Sequence, residues 1–143
     1  MARRLLTPGQ LLCKFKCKFK YVKTVLIVDD DLGFAFWLGH ALDRAGYETW
    51  PAKSVVAAES LLAQVKLAVD LLVIRASLPW APVLAAHLHH TRAGLKVIAV
   101  CDEPGDIVER FPSVCAIHQK PQTIDTAATL EWVRLVKSVL AAP

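Results

Sequence analysis

The feature that most constrains the fold is the stretch from Val25 to Asp31, in which four β-prone apolar residues are followed at once by three carboxylates. An apolar run without alternation is typical of a strand that is buried on both faces of a parallel sheet. The carboxylates then stand at the carboxyl end of that strand, where ligand crevices form in open α/β sheets. Because neighbouring acids repel one another, the rest of the chain must supply positive charge at this place.

Further strand-like segments alternate with helical ones along the chain. Besides residues 25–28, apolar or β-prone runs predict strands over residues 47–52, 70–75, 96–100 and 115–119. Apolar spacing, N-capping residues and a glycine after the first helix predict helices over residues 32–45, 54–65, 83–90, 106–110 and 123–140. This alternation predicts a doubly wound α/β sandwich around five parallel strands.

The length and the cysteines restrict the class of protein. A chain of 143 residues is long enough for one domain and too short for a second. No uncharged apolar stretch approaches the roughly 18 residues that a membrane span requires. The four cysteines form no dense disulfide framework, and Cys101 and Cys115 fall in strand-like segments, where we expect them to pack in the core. We therefore expect a cytoplasmic protein with free thiols.

Positive charge is concentrated at the N-terminus. Residues 1–23 hold seven of the 17 Lys and Arg and no acid, so residues 24–143 hold ten bases against 13 acids. Lysines alternate with aromatic residues and a cysteine over residues 14–21, which predicts either a disordered tail or an amphipathic edge strand. We expect residues 24–143 to form the folded domain. Nucleic acid would be bound only through the basic extension, because the remainder is mildly acidic.

The order of these segments resembles the receiver domain of bacterial two-component response regulators. The resemblance runs from about Thr24 to Leu140 and is carried by five short motifs, VLIVDDD at 25–31, GYE at 46–48, DLLVI at 70–74 with LP at 78–79, VIAV at 97–100 and KP at 120–121. It implies the CheY-like, flavodoxin-like fold with strand order 2-1-3-4-5. It also implies that Asp29, Asp30 and Lys120 meet the end of the third strand in one pocket.

The sequence departs from that family at three positions of the pocket. The resemblance implies a phosphoacceptor aspartate at the end of the third strand, where this chain has Arg75, and a guanidinium offers no nucleophilic oxygen. It implies Thr or Ser at the end of the fourth strand, which here is Cys101, and a rotating aromatic switch residue in the fifth strand, which here is Ile117. We therefore expect a degenerate pocket that does not accept a phosphoryl group.

The formal charges of the expected pocket suggest how it is stabilised. The resemblance implies three carboxylates and one lysine, which Mg²⁺ neutralises. Here Asp29, Asp30, Arg75 and Lys120 sum to zero, so we expect no cofactor and no resident Mg²⁺, with Asp29 and Asp30 as the ligands if a metal did bind. We expect Arg75 to donate charge-assisted hydrogen bonds to Asp29 or Asp30.

Two tryptophans and the last helix suggest a partner surface. Trp80 follows Pro79 in the loop after the third strand, where it would act as a lid over the pocket or as a contact surface. The last helix carries a narrow polar stripe that includes Arg134, and apolar residues such as Trp132 cover the rest. The resemblance implies a partner face or homodimer contact on this helix. A well-buried helix is the alternative.

These features predict a non-enzymatic module that binds protein partners in two-component (phosphorelay) signal transduction or transcriptional regulation, independently of phosphorylation. Three alternatives stay open. The first is a receiver that is phosphorylated on Asp30. The second is a flavodoxin-like cofactor-binding domain, which the lack of a Gly-rich turn after the first strand disfavours. The third is a DNA-associated regulator that uses the basic extension.

Overall fold

A computed structural model describes residues 22–103, 111 and 114–142. Its strands are β1 (Thr24–Val28), β2 (Glu48–Ala52), β3 (Leu71–Arg75), β4 (Lys96–Cys101) and β5 (Val114–Gln119). Its helices are α1 (Leu32–Arg44), α2 (Val55–Val65), α3 (Ala81–Thr91) and α4 (Thr126–Ala141). Residues 1–21 of the basic extension and the helix predicted over residues 106–110 lie outside the described residues. The domain boundary near residue 23 stays a prediction.

The five described strands form one parallel sheet in the order β2-β1-β3-β4-β5. This order confirms the predicted 2-1-3-4-5 topology. The strand order reverses between β1 and β3, whose last paired residues are Val28 and Ile74. In doubly wound sheets the crevice at such a reversal lies beyond the carboxyl ends of the strands, and the acids that follow β1 stand at this edge.

Helices cover both faces of the sheet, which explains why its central strands are apolar without interruption. In β1, Leu26 and Val28 pack on the side of α2 and α3, whereas Val25 and Ile27 pack on the side of α1 and α4. All four side chains are fully buried. Burial of each stabilises the fold by roughly 1.5–3 kcal/mol. The core therefore holds the end of β1, and the carboxylates after it, in a fixed place.

Side-chain caps determine where the helices begin. Asp31 accepts a hydrogen bond from the backbone N–H of Phe34 at the start of α1, and Ser54 accepts one from the N–H of Ala57 at the start of α2. Both residues match the predicted N-caps. Gly46 follows α1 with φ +101°, a conformation that glycine adopts without strain. None of the described helices is long and apolar enough to span a membrane.

The edge strand β5 corrects the prediction for one cysteine. Cys101 is buried, as expected, but Cys115 is exposed. The register between β4 and β5 shifts there, because Val97 pairs with Val114 whereas the next residue of β4, Ile98, pairs with Ala116. Cys115 is the extra residue of this bulge, and a bulge turns side chains away from their regular alternation.

The last helix corrects the prediction for Trp132. Its indole is fully buried and packs edge-on against the rings of Phe34 (centroids 5.4 Å apart) and His118 (4.9 Å). Helical spacing places Val136 and Val139 on the same inward face. Trp132 is therefore a core residue and not part of a partner surface, whereas residue 134 remains exposed.

Candidate functional site at the carboxyl ends of the strands

Asp29 is the buried acid of the site. Its side chain is 1% exposed, and its backbone N–H donates to the carbonyl of Ala52 in β2. Oδ1 accepts hydrogen bonds from the N–H of Asp31 (2.8 Å) and from Lys120 Nζ (3.0 Å). Burial raises the pKa of Asp29 above its usual range, while both hydrogen bonds act in the opposite direction. Oδ2 has no hydrogen-bond partner among the described residues.

Arg75, the last residue of β3, bridges two carboxylates. Nη1 donates to Asp30 Oδ1, and Nη2 donates to Asp102 Oδ2. Asp30 is one of the two partners that the sequence predicted. These bonds raise the pKa of Arg75, chiefly through Asp102, and the guanidinium lowers the pKa of Asp30 below its usual range. Charge-assisted hydrogen bonds therefore join Arg75 to both carboxylates.

Asp102 is the site residue that the sequence analysis missed. It directly follows β4, just as Asp29 directly follows β1, and parallel strands bring such residues to the same edge of the sheet. Its position directly after a strand is the sequence signal that could have identified Asp102 as a site residue. In the structure the backbone carbonyl of Asp102 also accepts a hydrogen bond from the side-chain Nε2 of Gln119, at the end of β5 (3.1 Å).

Lys120 is the second cation of the site and is largely buried. Its backbone N–H donates to the carbonyl of the last residue of β4. This bond holds the backbone in place directly after β5. Nζ lies 3.0 Å from Asp29, 3.7 Å from Asp31 and 3.8 Å from Asp102. Nζ also lies 5.1 Å from the ring centroid of Phe34, a cation–π distance.

The predicted charge balance of zero is wrong, because it counted only two of the carboxylates. Two cations, Arg75 and Lys120, face four carboxylates, so the formal charge of the group is −2; the carboxylates belong to Asp29, Asp30, Asp31 and Asp102. The guanidinium at the end of β3 therefore does not neutralise the site. It joins two of the acids that would otherwise repel one another.

The residues present do not fit the Mg²⁺ ion that the resemblance implies. Such an ion prefers several oxygen ligands in octahedral geometry. Asp30 Oδ1 is already bonded to Arg75, and the third carboxylate of the family's pocket is replaced by that guanidinium. Within the described ranges no three His, Cys, Asp or Glu side chains are arranged to hold a metal ion. The misfit rests on the position of Arg75 and not on charge balance.

The remaining predicted positions lie around the site or away from it. Cys101 is buried with its Sγ 3.7 Å from the carbonyl of His118, and Ile117 is 52% exposed on β5. Trp80 is 69% exposed with φ +68°, a strained conformation for a residue other than glycine. It lines a cleft of about 350 Å³ between α2 and α3 together with Val56 and Val83. This position favours a contact surface over a lid for Trp80.

Comparison with known proteins identifies the fold. No protein-family model matches the sequence, and a search of curated proteins found no match. Among solved structures, a CheY-like response regulator receiver domain from Methanospirillum hungatei JF-1 is 23% identical, with 83% of this chain and 94% of that chain covered and a TM-score of 0.67. The non-phosphorylated HemR receiver domain from Leptospira biflexa is also 23% identical (85% and 96% covered, TM-score 0.67).

A response regulator from Thermotoga maritima is 18% identical, with 85% of this chain and 99% of that chain covered and a TM-score of 0.68. The chain spans nearly the full length of all three structures. It therefore has the CheY-like fold of response regulator receiver domains, which confirms the predicted resemblance for the fold.

Proposed function

We propose that this chain is a receiver-like domain of two-component signalling that acts without phosphoryl transfer, as a non-enzymatic protein-interaction module in signal transduction or transcriptional regulation in the cytoplasm. One observation carries the proposal. At the end of β3, where the resemblance implies the phosphoacceptor, Arg75 is bonded to Asp30 and Asp102. A phosphoryl group transferred to a receiver needs a carboxylate oxygen as nucleophile, and a guanidinium has none.

The same pair of bonds supports a single fixed state. In a switching receiver the modified group alters its own contacts, and the altered contacts shift the population of conformations. Here the cation is part of the chain and cannot be added or removed. The protein would therefore present its surface to partners in one conformation. Its interactions would then be regulated through the amount of the protein or through its partners.

We expect that acetyl phosphate in the presence of Mg²⁺ will not phosphorylate the protein. The measurement is intact-protein mass spectrometry directly after incubation, with a receiver domain that retains the acceptor aspartate as the positive control. Asp30 is the carboxylate to watch, because it is half-exposed and its lowered pKa keeps it ionised. Label that disappears in an Asp30→Asn variant would overturn the proposal and favour a receiver phosphorylated on Asp30.

The proposed partner face lies on α4. Leu130 and Arg134 are four residues apart, so they share one face of α4, and both are exposed. Ile117 on β5 is also half-exposed, but it alternates with Ala116 and His118, which face α4, so it lies on the other face of the sheet. The exposed leucine beside a cation on α4 fits a protein surface that carries an acidic rim. A second copy of this chain is such a partner, because its α4 carries the exposed acid Glu131 three residues before Arg134.

Sedimentation equilibrium tests the homodimer. The parent protein should show a mass that rises with concentration, and Leu130→Glu should shift the protein toward the monomer because it buries a charge in the contact. Val56→Glu on α2 is the matched control, since Val56 is also exposed but lies on another face. A parent that stays monomeric, or equal effects of the two variants, would contradict dimerisation through α4.

A further inference from the structure

A groove runs along the edge of β2 that no described strand covers, β2 being the outermost of the described strands on one side of the sheet. It consists of three adjoining cavities of about 480, 230 and 320 Å³. The first lies where the chain enters β1 and is lined by Val22 and Glu48. It shares Asp43 with the second cavity, which shares Phe36 and Pro51 with the third. We call this continuous surface the edge groove.

The floor of the edge groove is a strand edge with few free backbone groups. The backbone N–H of Glu48 donates to the carbonyl of Lys23, the residue before β1 (3.0 Å). The backbone carbonyl of Ala52 accepts from the N–H of Asp29, the residue after β1 (3.0 Å). Because backbone directions alternate along a strand, Thr49 and Pro51 point their backbone groups away from β1. Proline has no N–H, so this edge offers one donor and two acceptors to a further strand.

The walls of the groove are apolar and exposed. Leu32 and Phe36 of α1 are 41% and 58% exposed, and Ala57 and Leu61 of α2 stand opposite them. Exposed apolar side chains beside an open strand edge favour association with another extended segment. The groove begins at Val22, which is the first described residue of the chain.

We propose that residues 14–20 of this same chain dock in the edge groove as a sixth strand, antiparallel to β2. These residues lie outside the described part of the chain. They precede β1 at the end where β2 begins, which sets the antiparallel direction. A strand docked on the free edge of β2 lies two strand spacings from β1, about 9.6 Å. Residue 23 still lies in line with β1, because its carbonyl accepts from the N–H of Glu48. The three steps from residue 23 to residue 20 span up to about 10 Å. An antiparallel edge strand on a parallel sheet is a common arrangement.

The alternation of the segment matches the two faces of the edge. Thr49 lies on the α1 side, because its Oγ1 donates to the Gly39 carbonyl at 3.3 Å. A strand paired with β2 places alternate side chains on that side, where Phe15 and Phe19 would contact the exposed ring of Phe36. The lysines then lie on the opposite face, together with acidic Glu48.

Charge supports the same pairing. Residues 1–23 carry seven Lys and Arg and no acid, whereas residues 24–143 carry an excess of acids. Glu48, on the face of β2 opposite to Thr49, lines the cavity at the end of the groove where the segment begins its approach to β1. An opposite-charge pair across two strands contributes roughly 0.2–1 kcal/mol. This inference does not depend on the proposed signalling function.

Hydrogen exchange of the full-length protein, read by mass spectrometry, tests the docking. We expect the amides of residues 14–20 to exchange at least about tenfold more slowly than those of an unstructured peptide. Phe36→Glu should remove this protection while β1 and β4 stay protected. Val83→Glu is the matched control, because Val83 is likewise 58% exposed but lies on α3. A Phe15→Glu/Phe19→Glu variant tests the same contact from the other side.

Three results would overturn the proposal. The first is exchange of residues 14–20 at the rate of an unstructured peptide in the parent protein. The second is an equal effect of Phe36→Glu and Val83→Glu, which would show that the groove is not the contact. The third is protection that increases with protein concentration, which would assign the edge groove to the segment of a second copy.

Discussion

Replacement of Trp132 by alanine is expected to lower the free energy of unfolding by about 3–5 kcal/mol, the range for deletion of a large aromatic from a core. The indole is fully buried between the sheet and α1, against the rings of Phe34 and His118. Its removal leaves a cavity that the strands of the sheet cannot close. Denaturant unfolding followed by circular dichroism measures the loss.

Two further variants make this prediction specific. Arg134→Ala, two residues away on the exposed face of α4, should change the free energy of unfolding by no more than about 0.5 kcal/mol. Trp132→Phe should cost less than Trp132→Ala, because it keeps an aromatic ring and removes an indole N–H that has no hydrogen-bond partner among the described residues. A loss below about 1 kcal/mol for Trp132→Ala would show that the indole does not belong to the core.

Replacement of Arg75 by alanine is also expected to lower the free energy of unfolding. The variant leaves Asp30 and Asp102 without their common partner, so their carboxylates repel each other. Charge-assisted hydrogen bonds contribute about 1.5–3 kcal/mol when shielded. Since Arg75 is a quarter exposed and the carboxylates about half, we expect a loss of about 1–2 kcal/mol for the pair of bonds together. Chemical unfolding at low ionic strength measures it, with Arg134→Ala as the control.

The same variant has a defined dependence on pH and salt. Arg75 lowers the pKa of Asp30 in the folded protein, so the stabilisation is fully present above the unfolded value of about 3.9 and is lost as the pH falls through the lowered folded value. The difference between parent and variant should therefore close below about pH 4. It should also shrink in high salt, which screens the repulsion between the two carboxylates. A difference that is independent of both would contradict an electrostatic role for Arg75.

The fold and most of the site could be predicted because the relevant signals are local. Unbroken apolar runs identify strands that are covered on both faces, and a charge after such a run stands at the edge of the sheet. The acids after β1 were found in this way, whereas the resemblance implied that Lys120 and the end of the third strand, here Arg75, meet them. The structure brings Asp29, Arg75 and Lys120 together. Asp102 follows the same rule, but its role depends on which way its loop turns, and the sequence carries no signal for that direction.

The predictions that were wrong concern the direction in which a side chain points, which packing determines. The last helix is apolar on most of its circumference, so its composition does not indicate which face meets the sheet, and Trp132 was placed on the wrong one. Cys115 was assigned to the core because regular alternation was assumed, whereas a bulge in β5 turns it outward. For Trp80 the sequence left a lid and a contact surface open, and its place in the cleft between α2 and α3 favours the contact surface.

We propose that the Arg75 guanidinium takes the position that the resemblance gives to the phosphoacceptor and thereby excludes a divalent cation from the site. A Mg²⁺ titration of the parent protein and of Arg75→Ala, followed by the temperature of unfolding, tests this exclusion. A ligand that binds only the folded state raises this temperature. We expect no Mg²⁺-dependent rise for the parent and a saturable rise for Arg75→Ala, in which Asp29 and Asp30 are available to the ion. A saturable rise in the parent, lost in Asp30→Asn, would contradict the account.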